Sequence, residues 1–67
     1  MNVEVMQFAE ALTKMLRRDM NNLADDLASD TCKTMENYRS ICGRIRGLAD
    51  AETYVKDLTK IAENADD

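Results

Sequence analysis

Ile41, Leu48, Val55 and Ala62 recur every seven residues in a chain that contains no proline, and this repeat limits the fold more than any other feature. A seven-residue apolar period keeps one stripe of a helix turned toward a neighbouring helix, favouring left-handed supercoiling against it. Tyr38 and Ile45 each stand three residues ahead of a member of the repeat and thicken the stripe. An earlier segment carries Val5, Phe8, Leu12, Leu16, Leu23 and Leu27 at steps of three, four and seven, which is the spacing of an amphipathic helix. Met15 and Met20 widen that stripe on either side.

Between the two stripes, Ser29, Asp30 and Thr31 break the pattern with residues that favour caps and turns. Thr34 is the expected N-cap of the second helix, with Glu36 in its favourable first turn and Asp30 as the competing cap. The predicted fold is all-α: a two-helix antiparallel hairpin, coiled-coil-like, forming one unit over residues 1–67. Helix one is expected over about residues 2–28, the joint over 29–34 and helix two over 35–64, with the last few residues fraying. At 1.5 Å per residue the helices are roughly 35–45 Å long, and so short a joint makes them neighbours.

A chain of 67 residues buries only about 60% of the surface that it exposes when unfolded, so a single hairpin is marginal. Disulfides, a metal or a partner subunit are the usual remedies. With no histidine and only Cys32 and Cys42, a four-ligand zinc site cannot be assembled. A Cys32–Cys42 bridge would close a short loop onto a helix whose side-chain directions are already set, so reduced thiols are expected. A partner protein is the remaining remedy. No leader-like segment and no uncharged apolar run of membrane-spanning length are present, which favours a soluble, cytosolic protein. Without a histidine base, a Gly-rich phosphate loop or a nucleophile beside a basic partner, the expectation is a non-enzyme that needs no cofactor.

Helix two carries a second stripe. At about 100° per residue, Gly43, Gly47, Ala51, Tyr54, Leu58 and Ile61 fall together, far from Ile45. Small residues at four-residue spacing let another backbone approach closely, yet each glycine inside a helix costs up to about 1 kcal/mol relative to alanine. Two explanations compete: a contact surface for another molecule, or relief of crowding within the hairpin. Tyr54, Leu58 and Ile61 continue the same face and would be left as an exposed patch, which favours the contact surface. A homo-oligomer completing a helical bundle, or docking on a larger protein, would cover it.

Two acids, Asp19 and Glu52, lie within the apolar stripes. A hairpin reversing near residue 31 sets Asp19 level with Ile41 to Arg44 and predicts an Asp19–Arg44 pair that fixes register more than it adds stability. The same register gathers Lys14, Arg17, Arg18, Arg44 and Arg46 into a basic belt. The net charge of −4 and the lack of aromatic residues among these cations argue against a nucleic-acid role for the belt.

The segment Tyr38-Arg39-Ser40-Ile41-Cys42-Gly43-Arg44-Ile45-Arg46-Gly47-Leu48 resembles a short signature in small, mostly uncharacterised helical-hairpin proteins of tailed bacteriophages. The resemblance implies a virion-assembly or virion-component role, near the portal or head–tail region, in the bacterial cytoplasm or within the virion. It supplies no catalytic residues. A larger phage structural protein joins a second copy as an expected partner. The competing expectations are a small regulator that inhibits a host enzyme through its acidic half, and weak nucleic-acid binding through the belt.

Overall fold

Ser29 ends the first helix. Its amide and its hydroxyl both donate to the Asp26 carbonyl, at 3.2 and 2.8 Å, and its oxygen lies 2.6 Å from the Thr31 hydroxyl. Three residues on, Thr34 starts the second helix: its Oγ1 accepts from the Asn37 amide at 3.0 Å, and its carbonyl accepts from the Tyr38 amide at the same distance. A threonine at this position satisfies an N–H that the first helical turn leaves without a backbone acceptor. Of the two competing caps, Thr34 holds the position.

In the computed structural model, which describes residues 3–65, α1 spans Val3–Ala28 and α2 spans Met35–Ala65. The expected start of helix one near residue 2, and the fraying of Asp66 and Asp67, lie outside the described residues. Asn64, the last residue of the expected second helix, is helical, and the helix runs one residue further, to Ala65. The helices pack against each other as an all-α hairpin, and the Cα trace measures 51 × 15 × 10 Å. No strand occurs among the described residues.

The seam between the helices is thin. Met20 and Leu23 are the only apolar side chains buried among the described residues. Leu12, Leu16 and Leu27 of α1, and Ile41, Ile45, Leu48, Val55 and Ala62 of α2, are half-buried. Met20, expected at the margin of its stripe, is therefore at its centre, whereas Phe8, expected within it, is 70% exposed. Two helices shield only the strip where they touch, and Phe8 sits beyond it.

The third buried side chain is Glu52, 7% exposed. Its Oε1 accepts from Arg17 Nη2 across the seam at 2.6 Å and from Lys56 Nζ, one turn on, at 3.3 Å. Its Oε2 is buried without a hydrogen-bond partner. This ion pair corrects the one expected. Asp19 is exposed and lies 3.5 Å from its neighbour Arg18, not beside Arg44. With Arg17 level with Glu52, the chain reverses around residue 34 rather than near residue 31. The joint occupies the residues expected for it; what differs is how far α2 is slid along α1, which sets Asp19 level with residues beyond Leu48, out of reach of Arg44.

Two stability outcomes follow from these contacts. Thr34→Ala lowers unfolding free energy by about 1 kcal/mol through the lost cap, measured by urea titration of helical circular dichroism. Arg17→Met costs about 1–3 kcal/mol because it strips the buried carboxylate of its inter-helix donor. Glu52→Leu, which removes the buried charge itself, leaves stability equal or higher, so the order of the two midpoints tests whether Glu52 serves register rather than stability.

Candidate functional site

The hairpin has two unlike sides. On one, Glu10, Lys14, Lys56, Lys60 and Glu63 stand among Met6, Ala9, Thr13 and Val55 along the seam, so charged and apolar groups alternate. On the other, an almost wholly apolar groove is lined by Val5, Phe8 and Leu12 from α1 and by Val55, Leu58 and Ala62 from α2. Exposure is high along this second side: 70% at Phe8, 65% at Leu58 and 53% at Met15. Tyr54 and Ile61 extend the surface outward over α2 and are also largely exposed. Solvation of so much contiguous apolar surface is unfavourable, and patches of this kind mark interaction sites.

Of the stripe predicted on helix two, Tyr54, Leu58 and Ile61 are exposed and Ala51 is half-buried. Gly43 and Gly47 are exposed, and a Cβ added to either would meet nothing within 4 Å. Crowding inside the hairpin therefore does not explain the glycines. Both have ordinary negative φ, so backbone conformation does not demand them either. A surface left bare at two helical turns is what a closely approaching partner uses.

The sequence reading missed half of this face. It placed Val5, Phe8 and Met15 within or beside the stripe facing α2, whereas all three are exposed. The available signal was angular: Phe8 and Met15 stand seven residues apart on one edge of their stripe, and that edge adjoins Leu58 rather than the seam.

The basic belt is dispersed. Lys14, Arg17 and Arg18 share a polar groove with Glu52 and Lys56, while Arg44 and Arg46 lie closer to the turn because the chain reverses later than expected. Arg17 and Lys56 are committed to the Glu52 carboxylate, which neutralises part of the remaining cluster.

Near the turn, Cys32 and Cys42 are free and half-buried. The nearby Cys42 thiol, through hydrogen bonding and then through the charge it would carry, raises the Tyr38 phenol above its ordinary pKa of 10.0. A raised value keeps the phenol protonated, the reverse of what activating it as a base or nucleophile requires. Among the described residues no group of three His, Cys, Asp or Glu side chains is placed to hold a metal ion. No helix there is long and apolar enough to cross a membrane.

Comparison with protein-family models, with curated proteins and with solved structures finds no match to this chain.

If the glycines serve contact rather than folding, replacing them separates the two properties. Gly47→Ala raises helix stability by up to about 1 kcal/mol, read from the thermal midpoint at low protein concentration. In the same protein, self-association or docking weakens because a methyl group enters the approach surface. A lower midpoint would return the glycine to a folding role.

Proposed function

We propose that this chain is a non-enzymatic assembly protein that acts by laying the groove-side face of its hairpin against helices of another protein molecule. One observation carries the reading: Val5, Phe8, Leu12, Val55, Leu58 and Ala62 form a shared apolar face whose bulkiest members stay largely exposed. The thin seam supports it. With only Met20 and Leu23 buried as apolar core, the isolated hairpin has little hydrophobic stabilisation, and a partner seated on the open face would supply the remainder. The opposite side breaks up its apolar lining of Met6, Ala9 and Val55 with Glu10, Lys14, Lys60 and Glu63, whose charges keep it compatible with solvent.

The biological setting rests on the Tyr38–Leu48 segment and its resemblance to small phage proteins. On that basis the assembly is a virion or its head–tail precursor, and the chain works in the cytoplasm of an infected bacterium or inside the particle.

A photo-crosslinking amino acid placed at position 8 or 58, in cells of the native host, is expected to give protein adducts. The same probe at position 60, on the charged side, should give few. Phage head or portal proteins among the adducts would support the setting. Adducts that are absent from positions 8 and 58, or equally abundant from position 60, would remove the assembly reading.

A further inference from the structure

We infer that the occupant of the apolar face is a second copy of this chain, related by a twofold axis along the hairpin, so that both turns lie at the same end of a four-helix bundle. The inference rests on the assembly reading and specifies its partner and geometry.

The argument begins with the ends of the face. The apolar groove lies toward the open end of the hairpin, where Phe8 and Ala62 stand on opposite sides of it. Eighteen residues of α-helix make about five full turns, which returns a side chain to the same angular position. Eighteen residues after Phe8 comes Asp26, and eighteen residues before Ala62 comes Arg44. Both steps run toward the turn, because the helices are antiparallel. The groove face therefore ends in an acid on α1 and a base on α2, at matching distance from the groove. Both are exposed, and among the described residues neither has an ion pair within the chain.

A twofold axis running along the hairpin lays α1 of one copy over α2 of the other, and the reverse. Phe8 and Met15 then meet the second copy's Leu58 and Tyr54, and the bare backbone at Gly47 receives the facing helix. At the turn end, Asp26 comes opposite the second copy's Arg44, twice per dimer. Such a contact is isologous: one patch is complementary to itself. An axis across the hairpin, placing each open end over the other's turn, would set the apolar half of one copy against Asp19 and Asp26 of the other. Sliding the copies until only the open ends overlap would cover the groove but leave both Asp26 and Arg44 unmatched. The size also fits: a face of 51 by 15 Å is on the order of the ~800 Å² that each partner contributes to a standard interface.

Sedimentation equilibrium of the purified full chain is expected to give twice the 7.6 kDa chain mass. Arg44→Glu and Asp26→Arg should each weaken dimerisation by roughly tenfold, the sum of two symmetry-related surface pairs turned repulsive. The double variant Arg44→Glu/Asp26→Arg should restore wild-type association, since the charges again complement across the axis. Both positions are exposed, so loss of folding does not confound the result. Nitroxide labels on Cys32, with Cys42 replaced by Ser, should lie within about two helix diameters of each other, ~20–25 Å. Labels separated by roughly the 51 Å length of the hairpin, or single reversals that the double variant does not rescue, would overturn the arrangement. A chain that stays monomeric while position 58 still crosslinks to other proteins would overturn the second copy and leave the assembly reading standing. Loss of those adducts as well would remove both.

Discussion

A helix with a single neighbour can hide only the strip that touches it, and every notable property of this protein descends from that limit. Two helices of 26 and 31 residues lie side by side over most of their length, yet they bury just Met20, Leu23 and Glu52 among the described residues. The remaining apolar side chains are half-covered or turned outward. A third or fourth helix would be needed to make a core of the usual kind, in which apolar side chains are surrounded on all sides. The sequence carries the apolar residues for such a core, on both helices and on one side.

Within that thin seam, Glu52 is the costly element. A carboxylate taken from water loses solvation that its partners must replace, and here one oxygen has two cationic donors while the other has none. Arg17 reaches it from α1 while remaining largely in solvent. The arrangement does little for stability, but it discriminates among registers: sliding α2 by one turn would take Glu52 from Arg17 and leave it beside Thr13 or Asn21, which carry no charge. Register in turn decides which residues share a side. With Arg17 level with Glu52, Phe8 stands beside Leu58, and the two halves of the exposed face become one surface.

Much of this was legible in the residue order. The seven-residue repeat, the Ser29–Thr31 break and Thr34 are local signals whose meaning does not depend on the rest of the chain, and they mark the helices and the joint. The outward placement of Gly43, Gly47, Tyr54, Leu58 and Ile61 follows from angular spacing within one helix, which is local as well. The pairing of charges was not legible. Asp19 and Glu52 look alike as acids set into apolar stripes, and choosing between them requires knowing where the chain reverses. An error of a few residues in the turn was enough to pair Asp19 with Arg44 and to gather a basic belt that the structure disperses.

Sequence alone determined that the chain makes two amphipathic helices and that the second carries more apolar and bare surface than one neighbour covers, because helical period and turn chemistry act over a few residues. Tertiary structure decided the register, the burial of Glu52 rather than Asp19, and the joining of Phe8 to Leu58 in one face. Those depend on how far one helix slides along the other, a distance set by side chains remote in sequence and brought level only when the hairpin closes.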